Sequence, residues 1–178
     1  MHGIDDNRTF VPVRVAVLTI SDTRTLETDT SGALLAQRVE AAGHMLADRR
    51  IVPDDKERIR DTVAGWIEDK QVDVVITTGG TGLTRRDVTV EAITPLFDKA
   101  IDGFSVIFHQ VSYRSVGLST IQSRACAGIA KGTFIFCLPG STGACRDGWD
   151  LVLGLELDSR HRPCSLAGQI PRLRDICA

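Results

Sequence analysis

Apolar residues along this chain occur either in short β-branched runs or in longer segments where they recur every three or four positions. The short runs predict buried strands and the longer period predicts amphipathic helices. The predicted strands are 13–20, 45–52, 72–76 and 133–138. The predicted helices are 30–42, one after Pro53 that carries Ile59, Val63, Trp66 and Ile67, and then 90–97, 103–115, 119–130 and 145–157.

Polar and turn-forming residues mark the expected ends of these elements. Thr30 or Ser31 is predicted to cap the first helix, and Gly43 to end it. Asp54 or Asp55 is predicted to cap the second, and Pro95 to distort the third.

Because strands alternate with helices, the predicted fold is α/β, with a mostly parallel central sheet and helices on both faces. A chain of 178 residues is long enough for one domain with a sizeable core. We expect that core to span about 13–163, between a flexible N-terminus, 1–9, and a C-terminal tail, 165–178, for which the sequence suggests no role.

The segment 77–89 combines glycines, hydroxyls and charges directly after a predicted strand. Glycines between a strand and a helix let backbone N–H groups approach a bound anion, and hydroxyl and arginine side chains add donors. An aspartate there can hold a divalent ion beside phosphate. The alternative is a tight connection whose glycines serve only the turn. The residues concerned are Thr78, Gly79, Gly80, Thr81, Gly82, Thr84, Arg85, Arg86 and Asp87.

Two more polar loops follow predicted strands, Ser21-Asp22 and Pro139–Gly143. Ligands of parallel α/β sheets bind at the carboxyl ends of strands. The sequence therefore predicts one site where these two loops and the glycine segment meet.

Charge and composition exclude several classes of protein. The net charge of −2 provides no basic field for nucleic acid or an acidic membrane surface. No apolar run approaches the roughly 18–20 residues of a membrane span, and no signal-peptide core opens the chain, so the expected location is the cytoplasm. Five cysteines without a C-x-x-C pair argue against structural zinc; Cys126 and Cys137 are interpreted as small buried hydrophobes, and the thiols as reduced.

Several segments together resemble the molybdenum cofactor biosynthesis proteins of the MoaB/MogA family, which is related to the G domains of gephyrin and its plant counterpart. The match runs from about Val13 to Pro163, and 138–146 with 162–164 are similar to the MoaB branch in particular. The matching segments are Thr19-Ile20-Ser21-Asp22, Asp29-Thr30-Ser31-Gly32, Val52-Pro53-Asp54-Asp55, 77–91, Gln122-Ser123-Arg124 and Leu138-Pro139-Gly140-Ser141.

This resemblance implies a three-layer α/β sandwich, assembled as a homotrimer or homohexamer, that adenylylates molybdopterin with Mg²⁺ and ATP and holds no prosthetic group. It also implies that Asp54 and Asp87 are catalytic carboxylates that hold Mg²⁺, and that Arg86 stabilises charge in the transition state. By the same resemblance, Gly79, Gly80, Thr81 and Gly82 hold phosphate, while Ser21, Asp22, Ser123, Pro139, Gly140 and Ser141 line the pterin side.

Two other functions remain open at this point: a non-catalytic molybdopterin-binding carrier, and a nucleotide-pyrophosphate hydrolase. Asp54 has an alternative role as a helix cap, and Asp87 as an ion-pair partner of Arg85 or Arg86. The sequence does not distinguish trimer from hexamer, nor show whether an active paralogue exists.

Overall fold

A computed structural model describes residues 3–175 and shows a six-stranded mixed sheet. Its strands are β2 (Arg14–Ile20), β3 (Met45–Val52), β4 (Val74–Thr78), β5 (Lys99–Ala100), β6 (Cys126–Ala130) and β7 (Thr133–Leu138). They lie in the order β3-β2-β4-β7-β6-β5, and of these six β6 alone runs opposite to the others. Two short strands, β1 (Gly3–Ile4) and β8 (His161–Arg162), pair antiparallel outside this sheet.

Helices connect the strands and cover both faces of the sheet. They are α1 (Thr30–Ala41), α2 (Lys56–Glu68), α3 (Thr89–Ile93), α4 (Asp102–Val116), α5 (Thr142–Gly148), α6 (Gly154–Glu156) and α7 (Ile170–Asp175). A π-helical turn, Trp149–Leu153, joins α5 to α6, and 3-10 turns occupy Thr94–Leu96, Gly117–Gln122 and Ala167–Gln169.

The predicted α/β fold with helices on both faces of the sheet is confirmed, and strand β2 shows its effect on the sequence. Val15 and Val17 pack into the core beneath α1, α4 and α5, whereas Ala16, Leu18 and Ile20 pack beneath α2 and α3. Successive side chains of a strand point to opposite faces, so a strand covered on both sides must be apolar at nearly every position. This strand therefore reads as one continuous apolar run.

Two predicted helix caps are corrected or resolved by the structure. Asp29, and not Thr30 or Ser31, caps α1: its carboxylate accepts the Gly32 N–H at 2.9 Å. Of the two candidates before α2, Asp55 is the cap, because it accepts the Arg58 N–H at 2.9 Å. Asp54 is thereby free of the capping role.

The predicted helix 119–130 is wrong. Residues Gly117–Gln122 form a 3-10 turn, and the small residues that follow form strand β6 instead. Small side chains are needed there because Phe97 lies against the strand: a Cβ atom on Gly128 would lie 2.2 Å from that ring. Lys131 and Gly132, with φ of 47° and 81°, turn the chain into β7 as a two-residue hairpin loop.

Other boundaries differ less from their predictions. The helix predicted at 90–97 is α3 followed by the 3-10 turn that contains Pro95, and the one predicted at 145–157 already begins at Thr142. In the C-terminal segment, Ile170 is buried against the core and Arg174 pairs with Asp73 at 2.8 Å. Positions 176–178 lie outside the described residues. Within residues 3–175 no helix has the length and apolar character needed to cross a membrane.

Candidate functional site

A cleft of about 420 Å³ opens at the carboxyl ends of β2, β4 and β7. The three loops predicted to converge do meet there, together with Asp54 after β3 and Ser123 before β6. Eleven of the predicted site residues line it: Ser21, Asp54, Thr78, Gly79, Gly80, Thr81, Gly82, Asp87, Ser123, Pro139 and Gly140.

The glycine loop, defined here as residues 79–84, needs glycine at its first two positions. Gly79 has φ of 106°, and a Cβ atom on it would lie 2.3 Å from the Ile20 carbonyl oxygen. Gly80 has φ of 65°, and its Cβ would lie 2.2 Å from Thr89 Oγ1. Any larger residue would therefore both strain the backbone and displace a neighbour.

Two amides of the glycine loop are available to a ligand. The Gly79 N–H donates to the Leu138 carbonyl at 3.1 Å. Within the described part of the chain, the N–H groups of Gly80 and Thr81 have no protein acceptor. Unpaired amides that line a cleft are suited to bind the oxygens of an anion.

Arg124 holds the glycine loop from the side of β6. Its Nε donates to the Gly82 carbonyl at 2.8 Å and its Nη2 to the Asp87 carbonyl at 2.9 Å, while its own N–H donates to the Thr81 carbonyl at 2.9 Å. The guanidinium also pairs with Glu91 on α3. Arg124 thus fixes the glycine loop at Thr81 and Gly82 and the segment after it at Asp87.

Asp54 and Asp87, together called the acidic wall, both lie against the glycine loop. A Cβ atom on Gly80 would lie 3.3 Å from Asp54 Oδ1, and one on Gly82 would lie 2.8 Å from Asp87 Oδ2. The two carboxylates repel each other weakly: after burial and the charge of Asp22, the charge of Asp87 also raises the pKa of Asp54.

The two members of the acidic wall differ in how the protein holds them. Within residues 3–175 no described side chain donates a hydrogen bond to the Asp54 carboxylate, which is approached only by the backbone N–H of Asp22. Burial, then the charge of Asp22, raises the pKa of Asp54 against the effect of that N–H. The Asp87 Oδ2 accepts from the Thr84 N–H at 2.8 Å and from its hydroxyl at 2.6 Å. Burial works against ionisation of Asp87, but these bonds keep its pKa below the ordinary value. Asp87 forms no ion pair with Arg85 or Arg86, so that alternative fails.

Four predicted site residues do not line the cleft. Arg86 pairs with Asp22 at the surface beside Asp54, whose own N–H donates to Asp22 Oδ1 at 3.2 Å. Thr84 is occupied with Asp87, and Ser141 caps α5 by accepting the Ala144 N–H at 3.2 Å. These residues shape the rim of the cleft and do not present a group to its interior.

A buried network supports the opposite side of the cleft. Asp29, whose side chain is fully buried, accepts hydrogen bonds from the Thr19 hydroxyl, the Gly32 N–H and Arg49 Nη2 at 2.8, 2.9 and 2.8 Å. Burial alone would raise the pKa of Asp29, but these donors hold it below its usual value. We call Thr19, Asp29, Gly32 and Arg49 the support network; it anchors the start of α1, where Ser31 reaches the Gly140 carbonyl at 3.1 Å.

The chain is similar in sequence and in fold to known proteins. The sequence profile of a family described as "Probable molybdopterin binding domain" matches residues 16–158. The chain belongs to this family. The match contains every residue that lines the cleft and both aspartates of the acidic wall.

Relatives within the molybdopterin-binding family are similar over most of their length. Molybdenum cofactor biosynthesis protein B of Escherichia coli strain K12 is 47% identical over 156 residues, which are 88% of this chain and 92% of the relative. The protein of the same name from Bacillus subtilis strain 168 is 49% identical over 133 residues, 74% and 78% of the two chains.

Solved structures of the family show the same fold. A crystal structure of a molybdenum cofactor biosynthesis protein B is 40% identical and superposes with a TM-score of 0.85, covering 94% of this chain and 99% of that one. The tungsten cofactor synthesizing protein MoaB from Pyrococcus furiosus is 34% identical, with a TM-score of 0.75 over 92% and 98% of the chains.

Some residues of this family member's cleft escaped the sequence analysis. Arg24, Ser31 and Gln122 line it, and Arg124 holds its loop. The family resemblance was the one signal that could have identified three of them, because the matching segments include Ser31, Gln122 and Arg124. Nothing local in the sequence indicates that Arg124 reaches the glycine loop, because the contact joins residues far apart in the chain.

The donor set of the cleft suits a metal ion that arrives with a phosphate ligand. Among residues 3–175, no group of three or more His, Cys, Asp or Glu could hold a metal by itself. Magnesium commonly needs only one or two carboxylates when substrate phosphates supply further oxygens. The Asp54 carboxylate, to which no described side chain within residues 3–175 donates, fits that requirement together with Asp87.

Proposed function

We propose that the protein acts in molybdenum cofactor biosynthesis by binding molybdopterin in the cleft and adenylylating it with Mg-ATP. Membership of the molybdopterin-binding family supports molybdopterin as the ligand of the cleft. The observation that carries the reaction is the acidic wall: Asp54, a carboxylate to which no described side chain donates, lies beside the glycine loop, whose Gly80 and Thr81 amides have no protein acceptor.

In the proposed reaction, an oxygen of the molybdopterin phosphate attacks the α-phosphorus of ATP. A phosphorus–oxygen bond forms there as the bond to pyrophosphate breaks. Bringing two phosphates together is opposed by their negative charges, so the protein must position them and offset that repulsion. The chain needs no covalent intermediate to do this.

Different residues of the cleft would bind phosphate, position the glycine loop and hold the metal ion. The amides of Gly80 and Thr81 bind phosphate oxygens, and Arg24 at the rim adds a positive charge. Arg124 keeps those amides in place by holding the carbonyls of Thr81 and Gly82. Asp54 and Asp87 would hold magnesium, which, when bound, offsets charge between the two phosphates.

Product analysis tests this proposal directly. Purified protein is incubated with molybdopterin, ATP and Mg²⁺, and the nucleotides and pyrophosphate are quantified. We expect adenylylated molybdopterin and pyrophosphate in equal amounts. Molybdopterin binding without product would instead identify a non-catalytic carrier, and AMP released from ADP-ribose without molybdopterin would identify a hydrolase.

We also propose that the protein works as a homotrimer or homohexamer. Large apolar side chains are exposed along α4 and on the 3-10 turn Gly117–Gln122 that follows it. A monomer rarely exposes so many large apolar groups in neighbouring elements. The residues are Val106, Ile107, Tyr113, Val116, Leu118 and Ile121. Light scattering on the purified protein gives the subunit number; a monomer at micromolar concentration would contradict the proposal.

A further inference from the structure

Cys126 and Cys137 lie directly opposite each other on the antiparallel strands β6 and β7. Residues in register across such a pair project to the same face of the sheet, and here both belong to the core beneath α2 and α3. Both are free thiols. The sequence predicted two independent buried hydrophobes, and the fold turns them into neighbours.

The strand pairing gives the two cysteines a separation compatible with a disulfide. The two-residue loop 131–132 makes Ala130 and Thr133 the closing hydrogen-bonded pair of the hairpin, so every second pair, including Cys126 with Cys137, is also of that type. Such pairs have Cα atoms about 5.5 Å apart, and disulfides span Cα distances of about 4.4–6.8 Å.

The two thiols differ in the way expected of an attacking and a resolving cysteine. Cys126 is partly exposed, and the neighbouring Cys137 thiol, then the charge of Arg124, lower its pKa against the effect of burial. Cys137 is fully buried; its hydrogen bond toward Cys126, and then burial, raise its pKa. Reactive cysteines are characteristically accessible and close to positive charge.

We propose that Cys126 and Cys137 form a peroxide-sensitive thiol pair whose disulfide loosens the glycine loop through Arg124. The Cys126 thiolate attacks one peroxide oxygen, so that a sulfur–oxygen bond forms, the oxygen–oxygen bond breaks and hydroxide leaves as water after taking a proton. The Cys137 sulfur then attacks the sulfenic sulfur. The sulfur–sulfur bond forms as the second oxygen departs with the Cys137 proton as water, and peroxide has accepted two electrons in all.

The link to the cleft follows from the position of Arg124, two residues before Cys126 in the chain. A disulfide draws its Cβ atoms to about 3.8 Å, whereas directly opposite residues on strands have Cβ atoms about 4.5–5.5 Å apart. The start of β6 must move to close that gap, and Arg124 moves with it. Its bonds to the carbonyls of Gly82 and Asp87 are then weakened.

The first test maps the disulfide in a Cys164→Ser/Cys177→Ser background, which removes the exposed Cys164 and the cysteine beyond the described residues. The protein is treated with hydrogen peroxide, unfolded in an alkylating reagent and analysed by peptide mass spectrometry. We expect labelling to be lost at Cys126 and Cys137 together and restored by dithiothreitol. Cys145, whose pKa burial raises to about 11, is the internal control and stays labelled.

A Cys137→Ala variant should stop the reaction at the sulfenic acid of Cys126, which a 1,3-dione probe detects. Full labelling of both cysteines after peroxide, or a disulfide that joins two chains, would overturn the thiol pair. The thiol chemistry is independent of the proposed function.

The second test compares hydrogen–deuterium exchange of the reduced and oxidised proteins. We expect faster exchange at residues 79–84 in the oxidised form, reversed by dithiothreitol and absent in the Cys137→Ala variant. Unchanged exchange in a protein shown to contain the disulfide would overturn its coupling to the cleft. Neither measurement requires ATP or molybdopterin to bind.

Discussion

The support network and the acidic wall stand on opposite sides of the same cleft and use aspartate in opposite ways. Asp29 is fully enclosed, and three protein donors satisfy its carboxylate. Asp54 is only partly buried, and within residues 3–175 no described side chain donates to its carboxylate, which only the Asp22 backbone N–H approaches. The donors lower the pKa of Asp29, whereas burial and neighbouring carboxylates raise that of Asp54.

This difference shows that aspartates near the same carboxyl ends of the strands can serve either the stability of the fold or the function of the cleft. A buried carboxylate with matched donors stabilises the fold because removing it would leave the donors unpaired. A carboxylate held near others of like charge gains nothing from folding and is available to a cation. The surroundings of each aspartate, and not its type, therefore separate a structural residue from a candidate catalytic one.

The largest effect is expected from removing the centre of the support network. Asp29→Ala leaves Arg49 without its buried partner and α1 without its cap, so the free energy of unfolding should fall by about 3–5 kcal/mol. Urea denaturation measures this change. Asp54→Ala is the matched control and should stay within about 0.5 kcal/mol of wild type; equal losses in the two variants would remove the distinction between the regions.

The acidic wall should show the reverse pattern in an activity measurement. If the proposed reaction is correct, Asp54→Asn removes charge that only the Mg-ATP complex uses, and turnover should fall about 10²–10³-fold, as when one group that stabilises a transition state is lost. Pyrophosphate release under saturating substrates measures it. A substitution of Asp87 would be harder to interpret, because Asp87 also accepts hydrogen bonds from Thr84 and its loss would disturb the loop. Wild-type turnover in Asp54→Asn would exclude Asp54 from catalysis.

Asp55 gives a control one residue away from Asp54. Because Asp55 caps α2, Asp55→Ala should lower the free energy of unfolding by about 1 kcal/mol and leave turnover unchanged. Denaturation and pyrophosphate release on the same preparation separate the two roles. A loss of turnover larger than that of Asp54→Asn would reverse the assignment of the two neighbours.

The smallest effect is the pH dependence of stability, which should have opposite signs in the two regions. The pKa of Asp29 is lowered from 3.8, so its stabilising contribution is present above that value and is lost as pH falls through its folded-state pKa. The pKa of Asp54 is raised from 3.8, so ionising it disfavours the folded state as pH rises through the raised pKa.

Unfolding curves between acidic and neutral pH check these signs. Asp29→Asn should destabilise the protein most near neutral pH, whereas Asp54→Asn should stabilise it slightly there and lose that advantage in acid. Differences from wild type that run in the same direction for both variants would contradict the pKa shifts described above.

Periodicity predicted most of the fold because most of its elements are apolar in the pattern that their burial demands. Strand β2 and the buried face of α2, from Ile59 to Ile67, are examples. Four strands were not predicted: the two-residue β1, β5 and β8, and β6, whose small residues suit a helix locally. In the structure β6 pairs with β7, and the ring of Phe97 packs against its Gly128. That contact is tertiary and leaves no local signal.

The candidate site was predictable where a single loop supplies it and not where distant segments meet. The glycines of the loop and the aspartate that follows them are visible in the sequence, and the structure gives Gly79 and Gly80 positive φ. The choice between Asp54 and Asp55 depended on which carboxylate the chain directs at the first turn of α2. The role of Arg124 depended on a hairpin that brings it to the glycine loop, and the opposition of Cys126 and Cys137 depended on the same hairpin.

The magnesium dependence of ATP binding tests the acidic wall most directly. Calorimetric titration of wild type and Asp54→Asn, each with and without Mg²⁺, gives four affinities. We predict that Mg²⁺ tightens ATP binding in wild type, that this gain disappears in Asp54→Asn, and that the affinities without Mg²⁺ do not become weaker in the variant. An equal gain from Mg²⁺ in both proteins, or none in wild type, would contradict the account.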